Sequence, residues 1–251
     1  IRIIPRLDIK GPNLVKGIHF EGLRVLGNPN DYAKMYYSSL ADELMYVDVV
    51  ASLYERNSLS DIISETAKEI FIPLTVGGGL RSIKDIMNVL KAGADKVSLN
   101  TAVIKNPELI REASLSFGSS TIVVSIEAIK EPNGKYLAYT DNGRESTGID
   151  VIEWLIKGES LGAGEVLLTS VDCEGTRKGF DLELIKTASK SLSIPVIASG
   201  GMGRHKDLCD AIHIADADAI AMADILHYNR SNIKDIRKFA KESGISLRNY
   251  E

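Results

Sequence analysis

The sequence predicts an α/β protein folded as one (β/α)8 barrel of two similar halves, and three observations predict it. Short β-branched runs alternate with longer segments of helical period eight times along 251 residues, which is the size and rhythm of eight parallel strands each covered by a helix. The chain also repeats itself at about half its length. And the GxGxxG fingerprint that opens a doubly wound open sheet is missing after the first run.

The strand candidates are residues 3–4, 44–50, 70–76, 96–99, 121–126, 165–168, 194–198 and 217–221. Each is short and apolar, as strands buried on both faces must be. Between them lie amphipathic stretches at 59–69, 82–92, 107–116, 150–160, 182–191 and 232–242, several opening on Ser, Asn or Asp, whose side chains cap helix amides. Residues 130–148, rich in Gly, Asn and charge, form the longest insertion and follow the fifth strand. A loop at that end of a barrel strand is expected to serve as a substrate lid.

The repeat decides between a barrel and an open sheet. Ile72-Pro73-Leu74-Thr75-Val76-Gly77-Gly78-Gly79 returns 122 positions later as Ile194-Pro195-Val196-Ile197-Ala198-Ser199-Gly200-Gly201. Lys84-Asp85 returns at the same offset as Lys206-Asp207, and Glu43-Leu44 as Glu165-Val166. Two half-barrels, about 1–118 and 119–251, explain such a period, whereas a solenoid repeats every 20 to 50 residues or so. No linker or composition break marks a second domain, so 1–251 is read as one.

Composition narrows the function. Thirty basic and 34 acidic residues leave a net charge of −4 without a basic block, which disfavours nucleic acid and anionic membranes as partners. Neither a membrane-spanning run nor the apolar core of a signal peptide is present. Cys173 and Cys209 are too few for a disulfide framework and lack zinc-ligand spacing, so a reducing, cytoplasmic setting without a metal or other cofactor is expected. The histidines His19, His205, His213 and His227 read as surface or packing residues, and Cys173 lacks a histidine partner.

Barrel enzymes place reacting groups at the C-terminal ends of strands. Asp8 ends the first strand and Glu127 the fifth, 119 residues apart, so the two carboxylates are expected across the mouth as general acid and general base. The plainer alternative is that each caps a strand or pairs with Lys10, Lys16 or Lys130. Asp48 ends the second strand and would orient a substrate hydroxyl or brace Lys16. The turns Gly77-Gly78-Gly79 and Ser199-Gly200-Gly201 each precede a helix N-terminus and let amides approach an anion. Their doubling suggests a substrate with two phosphates, with Asn100-Thr101 and Ala223-Asp224 completing the two pockets. At the opposite end, Arg2, Glu43, Lys96 and Glu165 begin strands one, two, four and six. Turned inward they would form a charged ring across the pore; turned outward they are rim charges.

Taken together, Arg2-Ile3-Ile4-Pro5, Leu7-Asp8, Val15-Lys16-Gly17, Ala41-Asp42-Glu43-Leu44, Phe71-Ile72-Pro73 running to Gly79, Ala94-Asp95-Lys96-Val97-Ser98, Gly164-Glu165-Val166-Leu167-Leu168-Thr169-Ser170 and the segment from Ile194 to Gly201 resemble the cyclase subunit of imidazole glycerol phosphate synthase over essentially the whole chain. The resemblance implies a (β/α)8 barrel of histidine biosynthesis. Such a barrel takes ammonia from a glutaminase (HisH-type) subunit docked on its N-terminal face. At its C-terminal face it cleaves and cyclises a bis-phosphorylated ribulosyl intermediate to imidazole glycerol phosphate and an aminoimidazole carboxamide ribotide. It further implies that Asp8 is catalytic, that Lys16 and Thr169 contact substrate, and that Arg2, Glu43, Lys96 and Glu165 gate ammonia. By the same resemblance Asp95 lies at the glutaminase interface, and Gly79, Asn100, Thr101 and Gly201 hold phosphate.

The departures from the family pattern fall on the substrate end. Glu127 and Glu174 each stand where the family has aspartate, Arg6 where it commonly has cysteine, and Asp224 where it has serine. A displacement near 1 Å costs about 100-fold where geometry sets the rate. A related branch of the family, associated with surface-polysaccharide loci and ammonia delivery to a sugar amidotransferase, is therefore a second expectation. A scaffold that only conducts ammonia is another, and a phosphate-sugar isomerase, which would not need the charged ring, is one more.

Overall fold

The computed structural model describes residues 1–51 and 59–250. In chain order its strands are β1 (Arg2–Lys10), β2 (Asn13–Ile18), β3 (Glu21–Gly27), β4 (Leu44–Asp48), β5 (Leu74–Gly77), β6 (Lys96–Leu99), β7 (Ile122–Lys130), β8 (Tyr136–Thr140), β9 (Glu145–Asp150), β10 (Glu165–Ser170), β11 (Val196–Ser199) and β12 (Ala219–Met222). The described helices are α1 (Pro29–Ser38), α2 (Ser60–Ala67), α3 (Ile83–Ala92), α4 (Thr101–Lys105), α5 (Glu108–Phe117), α6 (Val151–Ser160), α7 (Leu182–Ser191), α8 (His205–His213), α9 (Asp224–His227) and α10 (Ile233–Glu242).

Eight strands, β1, β4, β5, β6, β7, β10, β11 and β12, run parallel and pair in that order. β12 returns to β1 through Arg2↔Ala219 and Ile4↔Ala221, which closes the cylinder. The fold is the predicted (β/α)8, or TIM, barrel. Helix starts follow the expected chemistry: Ser82, Asp150, Asp181 and Asn232 each accept backbone N–H bonds as N-caps.

Three boundaries differ from the sequence expectation for identifiable reasons. β1 spans nine residues rather than two, because its inner face carries Arg2, Arg6 and Asp8 and so never reads as an apolar run. β5 and β11 begin late, after Pro73 and Pro195. These prolines have no N–H to donate, but their carbonyls accept from Leu44 at 2.9 Å and Val166 at 3.0 Å. Residues 130–148 are not an irregular loop. β7 runs on to Lys130, and β8 and β9 fold back on it antiparallel. The turn between β8 and β9 places Asp141, Asn142 and Gly143 at φ of 54°, 62° and 76°. A second hairpin, β2 with β3, rises beside β1 without a counterpart in the expectation.

Strand alternation sorts side chains into layers. On β1 every second residue, Arg2, Ile4, Arg6 and Asp8, enters the barrel, and on β10 Glu165, Leu167 and Thr169 do the same. The middle layer, Ile4, Met45, Val123, Leu167, Ile197, Ala219 and Ala221, is apolar and buried. Ile3, Leu7, Tyr46 and Leu168 face the helices in the main outer core. Below the strands, carboxylates pin the turns: Asp42 accepts the Ile3 N–H, Asp95 that of Leu74 and Asp218 that of Val196.

Candidate active site

The bottom of the lumen is a closed ring of charge. Arg2 reaches Glu43 at 2.8 Å and Glu165 at 2.7 Å, and Lys96 reaches the same two carboxylates at 3.1 and 2.9 Å. The inward arrangement thus holds over the rim-charge alternative. Thr75 adds a hydroxyl to Glu43 at 2.6 Å. Two positive and two negative groups cancel, which is what allows Glu43 to be 1% exposed while charged. Asp95 lies exposed on this same end, one oxygen held by the Leu74 amide.

At the other end both expected carboxylates turn inward. Asp8 is 1% exposed; its Oδ1 accepts from Arg6 Nε at 2.9 Å and its Oδ2 lies 3.5 Å from Lys16 Nζ. Part of the plainer reading therefore holds: Asp8 does pair with Lys16. Lys16 in turn forms a buried ion pair with Glu174. Burial pushes the Asp8 carboxyl up, but the two cations outweigh it and hold the group below the usual carboxylate range. Glu127 is different. Its Oε2 accepts the Gly143 amide at 2.8 Å, and burial pushes it up to about 7 against the opposing pull of that bond and of Arg6. Two carboxyls driven apart in this way are suited to different roles.

A cavity of about 610 Å³ opens beside Glu127, lined by Arg6, Asp48, Gly78, Gly79, Asn100, Thr101, Glu127 and Thr169 among others. Asp48 holds the Val50 amide at 3.0 Å. Gly78 sits at φ 99°, and a Cβ there would come 2.3 Å from the Asp48 carbonyl oxygen, so only glycine fits this turn. A second, smaller cavity of about 20 Å³ is lined by Arg6, Lys16, Glu174, Gly200, Gly201, Ala223 and Asp224. The half-barrel symmetry survives in the backbone: Asn100 before α4 and Ala223 before α9 have φ, ψ of −128°, −94° and −134°, −75°. The symmetry fails in the charge. Asp224 accepts from Arg230 at 3.0 Å and lies 3.9 Å from Arg177, so a carboxylate stands on the second loop where the first has Thr101.

A family model described as "Histidine biosynthesis protein" matches residues 2–232. The chain belongs to that family. Among curated members, it is 62% identical over 204 residues to "Imidazole glycerol phosphate synthase subunit HisF" of Legionella pneumophila, covering 81% of this chain and 96% of that protein. It is 46% identical over 247 residues to the proteins of the same name from two Dehalococcoides mccartyi strains, covering 98% of this chain and 97% of each. For a histidine biosynthesis barrel the layout is informative at the positions where this chain departs, because Arg6, Glu127, Glu174 and Asp224 all face the two cavities.

Some site residues escaped sequence reasoning. Gly143 and Asn142 belong to the β8–β9 turn, and Asn142 ties it to the Val49 carbonyl at 2.6 Å. Phe20, at the tip of the β2–β3 hairpin, lies under Arg6 with its ring centroid 5.2 Å away. His227, 3% exposed, bridges Tyr36 at 2.6 Å and the Arg6 carbonyl at 3.0 Å. Burial holds its ring down to about 4, hence neutral. Alternation along β7 and β11 was the available signal for Ser125 and Ser199; the hairpin contacts had none.

Proposed function

We propose that this chain catalyses the cyclase reaction of imidazole glycerol phosphate synthase, joining ammonia to a bis-phosphorylated ribulosyl formimino-carboxamide ribotide and releasing imidazole glycerol phosphate and the aminoimidazole carboxamide ribotide. The observation that carries the reading is the coexistence, in a histidine biosynthesis barrel, of a charged ring at one end of the lumen and, at the other, two inward carboxyls in unlike surroundings, Asp8 against Arg6 and Lys16 and Glu127 against the Gly143 amide. The names of the relatives favour this over the sugar-amidation branch.

The geometry accounts for each part. A glutaminase subunit on the N-terminal face, near Asp95, would release ammonia against the ring of Arg2, Glu43, Lys96 and Glu165. Neutral ammonia crosses the apolar layer above it, whereas ammonium would be stripped of water without a partner. The acceptor's phosphates sit on the loops at Gly79, Asn100 and Thr101 and at Gly201 and Ala223. Lys16, Asp48, Thr169 and Glu174 hold its polar middle. Asp8 stays ionised and stabilises positive charge that develops as ammonia attacks, and Glu127, near 7, carries the proton between intermediates. A reducing cytoplasm suits two free cysteines, Cys173 and Cys209.

The test is turnover of the bis-phosphate intermediate with ammonium salts at alkaline pH. The wild-type chain should form both products and Asp8→Asn none. A Lys96 substitution should spare ammonium-driven turnover and lower the glutamine-driven reaction in the presence of the glutaminase. Absence of product from the wild type would overturn the cyclase reading.

A further inference from the structure

Arg6 lines both cavities at the barrel mouth and, among the described residues, is the one they share. It is 6% exposed. Its Nε donates to Asp8, while its Nη1 donates to Thr169 Oγ1 at 3.1 Å and Ser199 Oγ at 3.3 Å, so one guanidinium spans β1, β10 and β11 at a single level. The Phe20 ring covers it from the β2–β3 hairpin, and His227 fixes its backbone carbonyl from below. The group is thus held from three strands and the hairpin, and among the described residues its ion pair is with Asp8, the carboxylate expected to do chemistry.

The charges around it alternate. Arg6 and Lys16 flank Asp8, and Glu174 neutralises Lys16 from the other side. Burying such a chain carries a desolvation penalty, which an apolar residue at position 6 would reduce. Its effect is on geometry: Oδ1 of Asp8 is engaged by Arg6 and Oδ2 faces Lys16, leaving little freedom for that carboxyl to rotate or to take up a proton. Among the described residues no cation is bonded to Glu127, which meets the Gly143 amide instead.

We propose that Arg6 is a positioning residue that locks Asp8 as a fixed negative charge next to the two cavities that Arg6 lines and so assigns proton transfer to Glu127. The proposal rests on the cyclase reading only for the identity of the acceptor. The groups facing Asp8 are Arg6, Lys16, Glu174 and neutral His227; those facing Glu127 are Arg6, Asp141, Asn100 and the Gly143 amide. The two cations favour ionised Asp8, and burial favours protonated Glu127.

Carboxyl titration by carbon-13 NMR on the intact chain tests the assignment without any acceptor. In the wild type Asp8 should remain ionised through the range where Glu127 titrates near 7. In Arg6→Gln the Asp8 titration should move up into view, and in Arg6→Lys it should stay low. With the bis-phosphate acceptor and saturating free ammonia, Arg6→Gln should lower kcat at least about tenfold and add a second ionisation to its pH profile, with Arg6→Lys recovering most of both. Should Arg6→Gln not fold, the wild-type and Arg6→Lys titrations still decide. Asp8 titrating together with Glu127 in the wild type, or an Arg6→Gln profile unchanged in shape, would overturn the proposal. Absence of turnover in the wild type alongside the expected titrations would instead count against the cyclase reading alone.

Discussion

The amide of Gly143 donates to Oε2 of Glu127 at 2.8 Å, which ties the β8–β9 turn to the fifth barrel strand. The backbone of that turn and the acid strength of Glu127 are therefore linked through one bond.

Gly143→Ala should break that link. A Cβ there would lie 2.9 Å from Val171 Cγ1, on a backbone at φ 76°. The expected cost is about 1–2 kcal/mol of stability. Losing a donor to the charged form raises the Glu127 pKa further above 7. Urea unfolding and the NMR titration of Glu127 read the two effects separately, and an unchanged titration would show that the amide bond is not retained in solution.

Glu127 should also give stability a distinct pH dependence. Its folded pKa of about 7 lies above the ordinary 4.5, so between those values the native chain binds a proton that the unfolded chain has released. Its contribution is complete below the ordinary carboxyl range and is lost as pH rises through 7, a swing of about 3 kcal/mol. Asp8 acts in the opposite sense, its contribution being lost only as pH falls through its depressed pKa. Glu127→Gln should flatten the decline of Tm across that interval; an identical slope in the variant would contradict the shift.

The floor ring should resist piecemeal change. Lys96→Met leaves Glu43, which is 1% exposed, and Glu165 with Arg2 as their shared cation. Breaking one arm of a buried network costs about 2–4 kcal/mol. Denaturant unfolding should show that loss, and a variant as stable as wild type would mean that the ring is solvated in practice.

Asp224 should weaken anion binding at the second loop. It engages Arg230 at 3.0 Å and approaches Arg177 at 3.9 Å. Asp224→Ser removes the repulsion and frees both guanidiniums, so inorganic phosphate should bind about tenfold more tightly by calorimetry. Unaltered or weaker affinity would place the phosphate elsewhere.

Much of this arrangement was legible in the sequence because it follows from period and repetition. Alternating apolar runs and capped amphipathic segments specify strand and helix from local chemistry alone, and the return of Ile72 to Gly79 as Ile194 to Gly201 specifies closure. The positions of Asp8, Glu127, Arg2, Glu43, Lys96 and Glu165 at strand ends follow from the same frame. The two hairpins were not legible in this way. Polar strands such as β3 and β9 have no fully buried residue, so no burial pattern marks them.

By itself, then, the sequence determined the barrel, its two halves and which residues stand at the strand ends, since these follow from local period and from the repeat at half its length. The tertiary structure alone decided that Arg6 and Lys16 clamp Asp8, that Glu174 neutralises Lys16 from 158 residues away, that Asp224 pairs with Arg230 and lies near Arg177, and that burial pushes Glu127 up to about 7. Charge state depends on burial and on groups brought together by folding, and neither is a property of any local stretch of chain.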